Sequence, residues 1–447
     1  MQKEDEKKIK ILAWGDYCCS TGFATVMSNI MMELEASGRY EIDVVGINWA
    51  GDPYNRERFP GRVWPAMPGT MAGMGAYSDV YGRQRVLDRL ATGEYDVLFM
   101  LQDTFVVEEF IGPLLDTQEA LNNMADAKKF KIVYYFPIDA QPKPKWATDV
   151  VAKVDYPVAY TQYAKNEILK YSPELKDKLD VIYHGTNLKD FYPIQDKELL
   201  AKFRKEFFKG KADDRFLLTN INRNQPRKDV VRNLLVLKEL KKRGHNPLMY
   251  LHMQHSDVGG NILVMAEQLG LSIEEDFTCP TPEVFSANSG LPIEAVNLIY
   301  NVSDAIFSPT LGEGWGLSIT EAMATKTPVI APNHTSLTEM LAENRGYPVD
   351  SGDNPSAFIV KELDMERIRP LMNVEKAAEA VEKLMAGKLP DIEGAYKWVT
   401  ELSWANLCKQ WIKIIDKAAL DAQTVNSTQF MSRQERRKLE RKKRKAN

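Results

Sequence analysis

Ala305-Ile-Phe-Ser-Pro-Thr-Leu-Gly-Glu-Gly-Trp-Gly-Leu-Ser-Ile-Thr-Glu-Ala-Met-Ala324 is the stretch on which the reading of this chain turns. Its first three residues are apolar and read as a short buried strand. Turn residues Ser308, Pro309 and Thr310 follow, then a loop carrying Gly314 and Gly316, then a helix through Ala322 and Met323. A glycine-bearing loop entering a helix exposes backbone N–H groups that attract phosphate. Glu313 and Glu321 bracket the loop, and a carboxylate accepts the hydrogen bonds that sugar hydroxyls donate. A phosphate edge beside a sugar edge points to a nucleotide-sugar. Two acidic residues at a helix N-terminus also fit a simple dipole effect, so the rest of the chain has to decide.

Outward from this stretch, strand and helix patterns alternate. Ile9–Trp14, Ile42–Ile47, Asp96–Leu101, Lys131–Phe136 and Tyr156–Tyr160 are short apolar runs flanked by turn residues, as suits buried parallel strands. Val181-Ile182 continues the series, and Thr25–Glu35 reads as the first helix. His184-Gly-Thr-Asn-Leu-Lys-Asp-Phe-Tyr-Pro193 breaks the pattern with turn residues. Alternation restarts at Arg215–Ile221 and continues through Leu248–His252, Ala305–Phe307 and Pro328–Ala331. Two such blocks predict two doubly wound α/β domains, whose ligands bind beyond the carboxyl ends of the strands. The expected division is 1–193 for the first, acceptor-side domain and 194–395 for the second, nucleotide-sugar-binding one. A helix at 396–423 and a basic tail at 424–447 complete the chain.

The chain has 447 residues, 44% of them hydrophobic, enough for two cores. No apolar run approaches the roughly 20 residues of a membrane helix, and Met1–Lys10 lacks the apolar centre of a signal peptide. Cys18, Cys19, Cys279 and Cys408 have no metal-type spacing, and the expected compartment is the cytoplasm. Net charge is −4, but Ser432–Asn447 holds nine Lys/Arg and two Glu, a net of +7 that leaves −11 on the rest. An acidic body is unlike a general nucleic-acid binder.

The run Ser308–Ala331 resembles the signature of retaining family-4 glycosyltransferases of the GT-B fold, in which a Glu-x7-Glu element leads into a strand like Pro328-Val-Ile330. Asn220-Ile-Asn-Arg223-Asn-Gln-Pro-Arg-Lys228 resembles the same family's Arg-x4-Lys element, with Asp229 where a glycine is common and Arg227 an alternative to Lys228. The resemblance implies two Rossmann-like domains facing across a cleft and transfer of a sugar from a nucleotide-sugar, most often a UDP-sugar, with retention. It implies that Glu321 binds the ribose and that Glu313, with Gly314, Trp315, Gly316 and Leu317, holds the sugar. Arg223 and Lys228 would hold the diphosphate and stabilise its departure. No metal and no further cofactor are implied, so a chelator should leave activity intact. Gly22, in the loop after the first strand, resembles a glycine bordering the donor phosphate. Asp139, in Phe136-Pro-Ile-Asp139, stands near the place of a family histidine that contacts the sugar, and Asp103 has the same strand-end position. His184–Pro193 resembles the interdomain hinge, Glu339 matches a family glutamate, and the final helix is expected to return to the first domain. His252 and His255 lack a third metal ligand.

The acceptor stays open: glycan, glycolipid and modified nucleic acid all fit. The basic tail, 432–447, is expected either to solubilise the chain end or to contact a polyanion through salt-sensitive charges. Two further readings stand beside the transferase: a GT-B nucleotide-sugar epimerase and a catalytically silent nucleic-acid-binding module.

Overall fold

The structure is a computed structural model and describes residues 8–67, 79–124, 127–281, 290–362 and 364–429. Two parallel sheets organise it. The first contains β1 (Ile9–Asp16), β2 (Tyr40–Ile47), β3 (Arg62–Pro65), β4 (Val97–Leu101), β5 (Lys131–Phe136), β6 (Tyr156–Ala159) and β7 (Asp180–Val181), in the order β3-β2-β1-β4-β5-β6-β7. The central strands are apolar on both faces because helices cover both: β4 is buried throughout, as are Ile11 to Trp14 of β1. Order reverses at β1, so the ends of β1 and β4 open a crevice into which Asp16, Asp103 and the loop after β5 project.

The second sheet is built from β8 (Leu217–Ile221) and β9 (Leu248–His252), then β12 (Phe277–Thr278), β13 (Ala305–Phe307), β14 (Val329–Pro332) and β15 (Tyr347–Val349), in the order β12-β9-β8-β13-β14-β15. Two small antiparallel hairpins decorate it: β10 (Ser256–Asp257) with β11 (Gly260–Asn261), and β16 (Phe358–Val360) with β17 (Ile368–Pro370). The alternation read from the sequence is thus present in both blocks. β3, β12, β15 and both hairpins were not expected, since these are short edge or surface pieces without a continuous apolar run.

Helix Trp404–Gln429 lies on the first domain, where Trp411 packs 4.7 Å from the Tyr135 ring and Asp416 accepts from Arg39 at 2.6 Å and Tyr40 at 2.8 Å. It runs past the expected end at 423 to Gln429; the basic segment 432–447 lies outside the described residues. Among the described residues no helix is long and apolar enough to cross a membrane.

Candidate active site

The loop between β13 and helix Leu317–Ala324 is fixed from three sides. Ser336 Oγ donates to the carbonyls of Glu313 (2.8 Å) and Trp315 (2.6 Å), and the Glu313 N–H donates to Thr335 Oγ1 at 3.1 Å. Gly316 has φ +134, a conformation that side chains resist. A Cβ on Gly314 would stand 2.5 Å from Pro137 Cβ of the first domain, so glycine permits the two domains to meet here. Among the described residues the N–H groups of Gly314, Trp315 and Gly316 have no hydrogen-bond partner. They are donors available to an anion at a helix start. The Trp315 side chain itself is buried, 5.2 Å from Tyr183 and 6.1 Å from Trp398, and serves the core.

The two glutamates of the motif occupy opposite environments. Glu313 is buried, with Lys228 Nζ at 2.6 Å from one oxygen and Arg227 Nη1 at 2.8 Å from the other. Burial opposes its charge, but the two cations outweigh it and hold the carboxyl down to about 2. Glu321, in the second turn of that helix, has no cation among the described residues. It accepts a 2.6 Å hydrogen bond from Tyr300 Oη, and burial pushes it up to about 7 against that bond.

Arg223 does not join Lys228 on Glu313. Its guanidinium is more than half exposed and pairs with Asp257 on β10 at 2.7 Å. Arg227, one residue before Lys228, takes the inward position; both lie in the turn Pro226–Lys228, which Asp229 follows at φ +46. That left-handed conformation is what a glycine would supply; Asp tolerates it, and its carboxylate is tied to Arg232 at 2.6 Å.

The first domain contributes Asp139. Its carboxylate meets Arg367 at 2.5 Å and stands 3.4 Å from both Arg369 and Arg227, while its carbonyl accepts from Arg369 at 2.8 Å. Burial opposes its charge too, yet Arg369, Arg367 and Arg227 hold its carboxyl below the usual range. Sequence reasoning missed Arg367 and Arg369. They sit in the charged run Asp364-Met-Glu-Arg-Ile-Arg369, which reads as a solvated loop, and only the alternation of Arg367 and Arg369 around Ile368 hinted at a strand face. The Asp103 carboxylate has no hydrogen-bond partner among the described residues, and burial and then the Asp139 charge push it up to about 7. Asp16 accepts from Thr21 Oγ1 at 2.7 Å and Asn48 at 3.1 Å. Gly22 opens helix Gly22–Ala36 and faces Leu317 across the interface.

Glu339 is a brace. It accepts the N–H groups of Gln162 (3.1 Å) and Tyr163 (2.5 Å), capping a first-domain helix, and a 2.7 Å bond from Tyr183. His184 lies in the hinge among Tyr135, Tyr160 and Trp315, where burial pushes it down to about 3.

Residues 202–384 match the family Glycosyl transferases group 1. D-inositol 3-phosphate glycosyltransferase of Corynebacterium urealyticum is 28% identical over 153 residues, 34% of this chain and 29% of that one. A probable sucrose-phosphate synthase of Thermosipho melanesiensis is 25% identical over 264 residues, 57% of this chain and 51% of that one. The chain therefore spans about half or less of the curated relatives it matches. Among solved structures, Anabaena HepE in complex with UDP and glucose superposes with a TM-score of 0.64 at 13% identity, covering 92% of this chain and 100% of that one. Sucrose-phosphate synthase of Thermosynechococcus elongatus gives 0.64 at 15%, covering 92% and 99%. The fold is GT-B.

Proposed function

We propose that this chain is a retaining glycosyltransferase that moves a sugar from a nucleotide-sugar to an acceptor hydroxyl. The observation that carries the reading is the convergence of Lys228 and Arg227 on buried Glu313, beside a helix start whose amides are unsatisfied. Two half-buried cations suit a diphosphate, and carboxylates with nearby N–H groups that lack a partner among the described residues suit a sugar joined to it. The group 1 match over 202–384 and the sugar-transferring relatives support the same reading.

In this reading Glu321 binds the ribose hydroxyls, and Arg227 with Lys228 holds the diphosphate. Glu313 and the Gly314–Leu317 backbone hold the sugar on one side and Asp139 on the other. As the sugar–phosphate bond breaks, the cations stabilise the charge gathering on the leaving diphosphate. The acceptor oxygen bonds to the same face of the anomeric carbon, and its proton passes to the leaving phosphate oxygen. The paired cations do the work a metal would do, so EDTA should leave turnover intact.

UDP-glucose is the first donor to try, because HepE was solved with UDP-glucose. The test is release of free nucleotide from UDP-, GDP- and ADP-sugars, with Glu321→Ala and Lys228→Ala as controls. Turnover of one sugar by the parent and not by the variants is the expected result. No turnover and no thermal shift with any donor would overturn the reading.

A further inference from the structure

The β16–β17 hairpin belongs to the second domain, yet its inner face reaches the first. Its register pairs Ile359 with Arg369 and Val360 with Ile368, so Phe358, Val360 and Ile368 face outward and Arg369 inward. Arg369 is 1% exposed and is locked by Asp364, at 2.5 Å on Nε and 2.7 Å on Nη2. Arg367 precedes β17 and lies 5.0 Å above the Trp146 ring. Glu366 reaches Lys143 at 2.8 Å on the same first-domain loop that carries Asp139. Glu366, Arg367 and Arg369 thus dock the hairpin on the Asp139 loop.

Two features of this junction are unspent. The Asp139 carboxylate offers about four acceptor positions, and it receives one close bond, from Arg367, with two longer 3.4 Å approaches on the other oxygen. Meanwhile Arg367 Nε is buried with no partner among the described residues. A buried N–H without an acceptor is costly and is relieved by any oxygen placed beside it. Side by side, then, stand a carboxylate with spare acceptor capacity and a guanidinium whose Nε–H is unsatisfied while its Nη1 meets Asp139. That pairing matches two neighbouring hydroxyls on a sugar ring.

Building on the nucleotide-sugar reading, we propose that Arg367 and Asp139 together grip adjacent hydroxyls of the transferred sugar. Asp139 accepts from one hydroxyl, and Arg367 Nε–H donates to the oxygen of the next. Arg369 is a positioning residue: it touches no sugar but holds the Asp139 carbonyl and side chain in place. Because the grip takes one partner from each domain, the sugar is read only where the two domains meet. The nucleotide, held on the second domain, does not depend on it.

Calorimetric binding of UDP and of UDP-glucose to the full chain and to Arg367→Lys tests this. Lysine keeps the charge toward Asp139 but has no counterpart to Nε–H in a planar fork. The expected result is that the parent binds UDP-glucose more tightly than UDP, and that R367K loses about tenfold in UDP-glucose affinity with UDP unchanged. Asp139→Asn reads the same grip from the other partner, with the same expected loss. Equal weakening of UDP and UDP-glucose would reveal a merely structural role and overturn the proposal, as would unchanged UDP-glucose binding in both variants. A parent that binds neither UDP nor any of the UDP-, GDP- or ADP-sugars instead overturns the donor reading, and the grip falls with it.

Discussion

Glu313 and Glu321 are the same residue type on one loop and helix, and the fold places them in opposite electrostatic states. Glu313 is buried against two cations and stays ionised down to about 2. Glu321 is half-buried against a tyrosine hydroxyl and holds its proton up to about 7. Burial raises both; the difference is whether a cation is near enough to outweigh it. One carboxylate is therefore a fixed anion within a charge network. The other titrates near neutrality and can donate as well as accept.

Glu313→Gln should have the largest effect on stability. It strips the counter-charge from Lys228 and part of that of Arg227, and breaking a buried pair costs about 3–5 kcal/mol. Glu321→Gln, which leaves no charge behind, should cost far less. Urea denaturation at pH 7.5 compares them, and equal losses would break the contrast.

Lys228→Gln should lower nucleotide-sugar turnover by about a hundredfold or more, if the cations stabilise the departing diphosphate. A rate within threefold of the parent would remove Lys228 from that role.

The pH dependence of stability should separate the two carboxylates by window. For Glu321 the folded value, about 7, lies above the ordinary 4.5, so its contribution is complete below pH 4.5 and is lost as pH rises to about 7. For Glu313 the folded value, about 2, lies below 4.5, so its contribution is complete above pH 4.5 and is lost as pH falls toward 2. Each window spans about 2.5 pH units and so carries on the order of 3 kcal/mol. E321Q should flatten the curve between 4.5 and 7 and leave the acid limb. Chemical denaturation across pH 3–8 reads this, and a parent slope that persists in E321Q would reassign the group.

Arg223→Ala should do least. Its partner Asp257 leaves it more than half exposed, and exposed pairs contribute under about 1 kcal/mol. UDP affinity should change by less than about threefold. A loss matching that of Lys228→Gln would mean that Arg223 swings inward when donor binds.

Much of the second domain was legible because its chemistry is local. Strand, glycine loop and helix follow one another, so Glu313, Gly314, Gly316 and Glu321 are placed by their own backbone. Even there, sequence spacing favoured Arg223, whereas it is Arg227 that reaches Glu313. The first domain's share was less legible. Asp16, Asp103 and Asp139 come from three separate strand ends, and their proximity is a property of the sheet. Arg367 and Arg369 were invisible, since short amphipathic hairpins leave almost no periodicity to read.

By itself the sequence determined the two doubly wound blocks and the glycine loop between Glu313 and Glu321, because buried parallel strands demand apolar runs and a tight turn into a helix demands glycine. The tertiary structure alone decided which cation meets Glu313, that Glu321 titrates near neutrality, and that two arginines from a distant hairpin surround Asp139. Burial and charge proximity set those outcomes, and both depend on distances through space that chain order does not carry.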